Sequence, residues 1–220
     1  LAANGFYEIM NNSLTKSAYT RELDSFDEAH NLKIMNPLSS DLDVMRQSLM
    51  FGGLESIARN QSFKSFDMKF FEFGNVYFYN GDNKQTEEKP LNPYTENYRL
   101  DLLMTGNDKE ESWNNKPMSL TFYDLKKYVL GIMHKLGIDT DALDRLEGTE
   151  SHYDYSLVYA LNNKVLATVG KINAKTLKMF DVKKEVYHAT FDWDAIMKVV
   201  KGLKTISFEA LPKFPSVRRD

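Results

Sequence analysis

The chain contains no cysteine, and this absence excludes disulfides, zinc–thiolate sites and cysteine nucleophiles from its chemistry. It also contains no run of about 18 apolar residues, so we expect no membrane-spanning helix, and we expect no signal peptide either. Neither sign of charge dominates, because the formal net charge is only −3. The totals therefore show no basic face for nucleic acid, and the lack of cysteine fits a reducing cytoplasm.

The motifs that mark the common kinds of active site are missing as well. We find no phosphate-binding G-x-x-x-x-G-K-S/T loop, no G-x-G-x-x-G after a strand, no H-E-x-x-H and no G-x-S-x-G. The four histidines are scattered, without the paired spacing of a metal site. Acidic pairs such as Glu87/Glu88 are interpreted as solvated loops or a helix N-terminus. Composition and motifs thus predict no catalytic residue, no cofactor-binding residue and no metal ligand.

What the chain does have is the composition of a globular protein, with 42% hydrophobic and 27% charged residues over 220 positions. This length suffices for one large domain or two small ones. The first residues, from Leu1 to Gly5, are typical of the last turn of a helix that ends on a glycine. The last residues, from Pro215 to Asp220, complete no helix or strand. We therefore expect the sequence to be a piece of a longer chain.

Runs of apolar, aromatic and β-branched residues predict about six or seven strands. The longest is the aromatic run 68–79, in which Gly74 is expected to mark a bulge or to divide two strands. Asn162-Asn163 lies between two apolar runs and predicts a β-hairpin. The strands are predicted at 6–12, 32–35, 68–79, 98–105, 157–161, 165–172 and 186–191.

Apolar residues at helical spacing predict helices between these strands. The first is expected to begin after Ser40 as its N-cap and to break or bend at Gly52-Gly53. Because many of the strands are joined as hairpins, the pattern predicts an α+β fold with the helices packed on one side of the sheet. Residues 201–220 lose periodicity and are interpreted as a linker. The helices are predicted at 41–60, 121–135, 174–180 and 192–200.

Several stretches resemble bacterial phenylalanyl-tRNA synthetase β chains, and they carry the strongest functional signal in the sequence. The longest, residues 36–60, resembles the N-P-L-S…M-R-x-S-L…R-N pattern of that family. Residues 71–77, FEFGNVY, are similar to its F-E-x-G-x-V-F strand, and residues 122–126, FYDLK, to the F-x-D-L-K start of a helix. The tail, residues 212–220, resembles the entry to a ferredoxin-like module that binds the anticodon region of tRNA. These matches follow one order over nearly the whole chain.

The resemblance implies that residues 1–202 form a domain like a class II aminoacyl-tRNA synthetase core, an antiparallel sheet flanked by helices. Residues 203–220 would then begin the next domain. A working class II site holds the ATP phosphates with an arginine in a strand motif such as F-R-x-E, because the guanidinium fork makes bidentate contacts. The matching strand here carries FEFG at 71–74, and a glutamate there would repel phosphate. The domain is therefore expected to be a non-catalytic copy, and residues 151–156 also depart from the family's H-P-G-R-S-A stretch.

The resemblance further implies that the chain is part of an (αβ)₂ enzyme that joins phenylalanine to tRNA-Phe in the cytoplasm, using ATP and Mg²⁺. This chain itself would hold no cofactor and would pack against the α subunit through residues 5–12 and 36–60. A role within the domain is the open alternative at each position, for example a turn at Pro37 or a carboxylate partner for Arg46. The candidate interface or interface-supporting residues are Asn36, Pro37, Leu38, Arg46 and Arg59.

Two other functions remain open. Arg218 and Arg219 in the tail are candidates for contact with tRNA, which would make the chain an RNA-binding module with salt-dependent affinity. Alternatively, the chain would be a free-standing class II-like paralogue, which ATP-dependent pyrophosphate exchange would reveal.

Overall fold

The computed structural model describes residues 1–37, 39–83, 85–109, 113–114 and 116–203. Eleven strands and five α-helices are assigned within these residues. The strands are β1 Tyr7–Glu8, β2 Leu14–Thr15, β3 Val44–Met45, β4 Met68–Tyr79, β5 Tyr94–Thr105, β6 Asn107–Lys109, β7 Met118–Ser119, β8 Asp144–Glu147, β9 Tyr153–Leu161, β10 Lys164–Ile172 and β11 Val186–Asp192. The helices are α1 Ser17–Glu22, α2 Met50–Ser62, α3 Phe122–Lys135, α4 Ala174–Met179 and α5 Trp193–Gly202.

Seven of the strands form one sheet in the order β1-β4-β5-β11-β10-β9-β8. Every neighbouring pair in it is antiparallel except β1 and β4, which are parallel. The remaining strands form two separate ribbons, β2 with β3 and β6 with β7. The α+β prediction is therefore confirmed, with a mostly antiparallel sheet. In the described part of the chain, no helix is long and apolar enough to cross a membrane.

The aromatic run forms the single continuous strand β4, so the bulge or break expected at Gly74 is wrong. β4 pairs with β5 without a register shift, from Met68 opposite Thr105 to Tyr79 opposite Tyr94. Gly74 has a different role, because a Cβ at this position would collide with Nη2 of Arg46. The absence of a side chain at 74 lets the guanidinium cross directly over the strand.

Helices cover both faces of the sheet, so the prediction that they pack on one side is wrong. On one face, Leu125 of α3 and Ile196 of α5 join a buried cluster with Leu102 of β5. On the other face, Phe51 of α2 joins a second cluster with Leu103. Leu102 and Leu103 are adjacent, and successive strand residues point to opposite sides. A sheet that is apolar on both sides needs a layer on each; we call these the α3 face and the α2 face.

The helix expected over 41–60 begins later than predicted, because α2 starts at Met50 and residues 44–45 form β3. Long-range contacts override the local spacing of apolar residues: the backbone of Arg46 bonds to Ser13 and Tyr77 on either side. The break expected at Gly52-Gly53 is also wrong, since both glycines lie inside α2. A Cβ on Gly53 would lie 2.7 Å from Cδ1 of Leu103, so the glycine allows the helix to approach the sheet closely.

Of two short strands predicted near the start of the sequence, one is shorter than predicted and the other is not formed. Of the strand expected over 6–12, only Tyr7–Glu8 joins the sheet. Of the strand expected over 32–35, only Lys33 makes an isolated bridge, to Val44. Preceding them, residues 2–4 form a short 3-10 helix that ends at Gly5 with φ 79°, as the sequence indicates. The start of the chain is therefore less regular than its strand-forming residues suggest.

The predictions made from strong local patterns are confirmed. The helix expected over 121–135 is α3, which begins after Thr121, and Asp124 accepts a 2.7 Å hydrogen bond from the Thr121 backbone N–H. The expected hairpin joins β9 to β10 through Asn162 and Asn163, with φ values of 51° and 64°. Such left-handed values favour asparagine over most other residues.

Candidate functional site

The α2 face of the sheet carries a cleft of about 320 Å³. Strands β4, β5, β11, β10 and β9 supply its floor, because alternate residues along each strand point to the same side. Segments 25–26, 47–49 and 150–152 supply its walls. Its polar lining residues are Ser25, Gln47, Ser48, Arg99, Glu150, His152, Tyr153, Thr168, His188, Thr190 and Asp192, and its apolar ones are Phe26, Leu49, Val76, Phe78 and Val165.

A buried ion pair lies on the same face, between Arg46 and Glu72. Nη1 of Arg46 donates to Oε1 of Glu72 at 2.6 Å, and the two side chains are only 6% and 2% exposed. Nε of Arg46 donates to the carbonyl oxygen of Asn75 at 3.0 Å. Oε2 of Glu72 accepts from Nδ2 of Asn11 at 2.7 Å. Both charges therefore have hydrogen-bonding partners, as a buried pair requires.

A second group of hydrogen-bonded side chains lies on the same face. It consists of Asp101 on β5, His188 on β11 and Tyr153 on β9. Nε2 of His188 lies 2.8 Å from Oδ2 of Asp101, and Nδ1 lies 2.7 Å from the hydroxyl of Tyr153. Burial raises the pKa of the Tyr153 hydroxyl well above its usual value. The hydroxyl therefore keeps its proton. Asp101 is directly opposite Glu72, and opposed like charges destabilise a sheet. Arg46 offsets the charge of Glu72, and the His188 ring is the hydrogen-bonding partner of Asp101.

The charges of this face do not favour a phosphate ligand. The carboxylates of Glu72, Asp101, Glu150 and Asp192 lie here, and Arg99 Nη1 is engaged by Asp192 Oδ2 at 3.1 Å. Among the described residues, both guanidinium groups of this face are paired, Arg46 with Glu72 and Arg99 with Asp192. An excess of negative charge in a cleft repels anions. The described ranges also contain no group of three or more His, Asp or Glu side chains that could hold a metal ion.

His152 forms part of the cleft wall and is held between aromatic rings. Its ring stacks on Phe26 with centroids 5.5 Å apart and tilts against Tyr153 at 4.1 Å. Burial, and to a smaller extent the nearby His188, lowers the pKa of His152 to about 3. The ring is therefore neutral near pH 7.

Replacing His152 with phenylalanine is expected to flatten the dependence of stability on pH. The pKa of a histidine in the unfolded chain is about 6.5, so the low folded value of about 3 stabilises the fold above pH 6.5 and this contribution is lost as the pH falls towards 3. At pH 5 the loss is about 2 kcal/mol. Urea unfolding at pH 7 and pH 5 measures it. His134→Phe, at an exposed position of α3, is the control and should keep the wild-type pH dependence. If the free energy of unfolding of His152→Phe fell between pH 7 and pH 5 as much as that of the wild type, the lowered pKa of His152 would be contradicted.

The structure brings only one of the predicted interface residues into this region. Arg46 is buried, and its contacts match the alternative in which it pairs with a neighbouring carboxylate. Asn36 and Pro37 are exposed in the turn before β3, and Arg59 is exposed on α2. Their contact with another subunit stays a prediction. Outside the described residues lie Leu38, Arg218 and Arg219, whose roles also stay predictions.

Comparison with known proteins identifies the family. A family model described as the phenylalanyl-tRNA synthetase beta chain CLM domain matches residues 1–193. The chain belongs to this family. The resemblance seen in the sequence is thereby confirmed over nearly the whole described domain.

Curated relatives of this beta-chain domain agree. The phenylalanine–tRNA ligase beta subunit of Bacteroides fragilis is 44% identical over 223 residues, which cover 100% of this chain and 27% of that protein. The corresponding subunit of Bacteroides thetaiotaomicron is 43% identical over 221 residues, with the same two coverages. The chain thus spans only about a quarter of the length of these relatives.

Solved structures share the fold of the beta-chain domain. Pyrrolysyl-tRNA synthetase from Desulfitobacterium hafniense superposes with a TM-score of 0.65 at 12% identity, covering 91% of this chain and 65% of the other. A second structure of that protein gives a TM-score of 0.64 at 15% identity, with the same coverages. At such low identity the likeness concerns the fold alone.

The sequence-based interpretation of this beta-chain domain missed the chain of Asp101, His188 and Tyr153. A signal was present, because Asp101 lies between Leu100 and Leu102 and His188 lies between Tyr187 and Ala189. Each is 1% exposed in the structure. A buried ionisable residue at such a strand position requires a partner, and each of these is the partner of the other.

Proposed function

We propose that this chain is the non-catalytic core domain of a β subunit that packs against an α subunit in a cytoplasmic (αβ)₂ enzyme. In this proposal the enzyme joins phenylalanine to tRNA-Phe using ATP and Mg²⁺, and the domain is a class II synthetase core without an active site. Membership of the beta-chain family supports the first part. The whole enzyme's activity and partners belong to the proposal because the chain spans 27% of its curated relatives.

The buried pair of Glu72 and Arg46 carries the proposal that the domain is non-catalytic. By the resemblance of the FEFG strand, Glu72 matches the position at which a working class II site holds phosphate with an arginine. Its carboxylate is engaged by Arg46 at 2.6 Å. Arg99, which lines the cleft, is paired with Asp192. Carboxylates outnumber guanidinium groups among the described residues of this face, which disfavours the phosphates of ATP. We therefore assign no reaction step to these residues and place catalysis in the α subunit.

The open edge of the sheet is the surface that best supports docking. β1 is the first strand of the sheet and has a neighbour on one side only. Tyr7 on this strand is 71% exposed and Met10 just after it is 93% exposed. Met35, beside the predicted interface residues Asn36 and Pro37, is 92% exposed. Exposed apolar groups at an unpaired sheet edge are typical of an interaction surface.

The proposal is tested by mixing this domain with the cognate α subunit and measuring the mass of the product by light scattering on a sizing column. Circular dichroism first checks that the domain is folded. We expect a complex of defined stoichiometry and no pyrophosphate exchange by the domain alone. Replacing Tyr7 and Met10 with aspartate should weaken the complex by about tenfold or more. The control is Tyr123→Asp on α3, where the tyrosine is 73% exposed, and it should bind as the wild type does. ATP-dependent exchange by the domain, or no complex with a folded domain, would contradict the proposal.

A further inference from the structure

The buried pair of Arg46 and Glu72 also bonds to the segment that follows β1. We define the edge segment as residues 6–12. The backbone N–H of Asn11 donates to Oε1 of Glu72 at 3.2 Å, and its side-chain amide donates to Oε2 at 2.7 Å. In return, Nη1 of Arg46 donates to the carbonyl oxygen of Asn11 at 3.3 Å. Asn11 is therefore bound to both members of the ion pair.

Helix α2 holds the same residue from the other side. The hydroxyl of Ser56 donates to Oδ1 of Asn11 at 2.9 Å. A Cβ on Gly52 would lie 2.6 Å from Cβ of Asn11, so the glycine permits close contact between helix and segment. Asn11 thus joins the edge of the sheet, the ion pair and α2.

Regular backbone pairing of the edge segment ends before Asn11. Tyr7 and Glu8 pair with β4, and Ile9 donates to the carbonyl oxygen of Phe71 at 2.9 Å. Met10 lies between this last ladder bond and the anchor at Asn11. The anchor therefore determines how the exposed Met10 is presented.

We infer that the Arg46–Glu72 pair is a positioning device for subunit association, which holds the edge segment through Asn11 in the conformation that docks on the α subunit. The inference rests on the proposed function. A buried ion pair is often no more stabilising than well-packed apolar residues of similar size. What apolar residues would not supply is the set of donors and acceptors that fixes Asn11. Arg46 and Glu72 are thus positioning residues that act on the partner through the edge segment.

The test replaces the pair without leaving a buried charge. In the full-length β chain, Arg46→Met is combined with Glu72→Met, and the dissociation constant for the α subunit is measured together with hydrogen exchange of residues 9–12. We expect the wild-type melting temperature within a few degrees, faster exchange, and affinity lower by roughly 10–100-fold, because the segment must now be ordered on binding. The matched control removes the pair of Lys69 and Asp108, also 2.6 Å apart, with Lys69→Met and Asp108→Leu, and should leave affinity unchanged.

A second variant keeps the test decisive if the double replacement does not fold. Asn11→Ala removes the side-chain bonds to Glu72 and Ser56 but retains the ion pair, and it should lower affinity in the same direction. Wild-type affinity in a folded variant of either kind would overturn the inference while leaving the proposed function intact. Failure of the wild-type β chain to bind α would instead overturn the proposed function, and the inference with it.

Discussion

Replacing Arg46 with methionine alone is expected to lower the free energy of unfolding by about 3–5 kcal/mol, because it leaves the carboxylate of Glu72 buried without an opposite charge. Glu72 is 1% exposed and lies opposite Asp101, a second buried carboxylate. The carbonyl oxygens of Asn11 and Asn75 lose a donor as well. The double replacement Arg46→Met with Glu72→Met should recover stability to within about 2 kcal/mol of the wild type, since no unpaired charge remains at 72. Urea unfolding at pH 7 measures both changes.

The control for Arg46→Met is the loss of an exposed ion pair. Lys16 and Asp41 lie 3.6 Å apart with side chains 37% and 68% exposed, so Lys16→Met should cost less than about 1 kcal/mol. Two results would contradict this prediction. In the first, Arg46→Met lowers the free energy of unfolding no more than Lys16→Met does. In the second, the double replacement is as unstable as Arg46→Met alone, so that the unpaired buried carboxylate is not the cause of the loss.

Local patterns in the sequence were sufficient for the long elements of the fold. The aromatic run predicted β4 with the bounds it has, and the apolar stripe of α3 predicted that helix to within one residue. In both cases the residues that determine the element lie within the element itself. The hairpin at Asn162-Asn163 is similar, because two asparagines in the left-handed region suffice to reverse the chain.

The region around Arg46 could not be predicted from local pattern, because its conformation depends on distant residues. Leu42, Met45 and Leu49 have helical spacing, yet the backbone between them bonds to Ser13 on one side and Tyr77 on the other. These contacts join three stretches that are far apart in the chain. A period of apolar residues does not reveal such pairing, so the expected helix began too early.

The candidate site could be predicted only in part, and from the resemblance to a family motif rather than from local pattern. The glutamate of the FEFG strand indicated that phosphate would not bind there, and the structure adds that Glu72 is engaged by Arg46. The chain of Asp101, His188 and Tyr153 joins residues 87 and 35 positions apart. Only the sheet order β5-β11-β10-β9 brings these three side chains together. The sequence therefore predicted the family, but not the hydrogen-bonded group of Asp101, His188 and Tyr153; the absence of a phosphate-binding arginine stays a prediction.

Gly170 supports that hydrogen-bonded group, and replacing this glycine with alanine is expected to cost about 2–3 kcal/mol because the space above it is filled. A Cβ at this position would lie 2.7 Å from Cδ1 of Tyr153, 2.8 Å from the carbonyl oxygen of Tyr155 and 2.9 Å from Cβ of Ser156. The tyrosine ring could turn aside, but the carbonyl belongs to the paired strand β9 and moves only if the register is disturbed. Urea unfolding measures the cost.

The same replacement at an open position separates steric collision from the general effect of adding a methyl group. Gly131 lies in α3 with nothing within 4 Å of its Cβ position, so Gly131→Ala should stabilise the fold by about 0.5–1 kcal/mol. In Gly170→Ala, displacement of Tyr153 should also lengthen its hydrogen bond to His188, which changes the imidazole nitrogen shifts in NMR spectra. The contradicting result would be an equal change in the free energy of unfolding for both replacements, with the NMR shifts of His188 as in the wild type. The position of Tyr153 would then not depend on the lack of a side chain at residue 170.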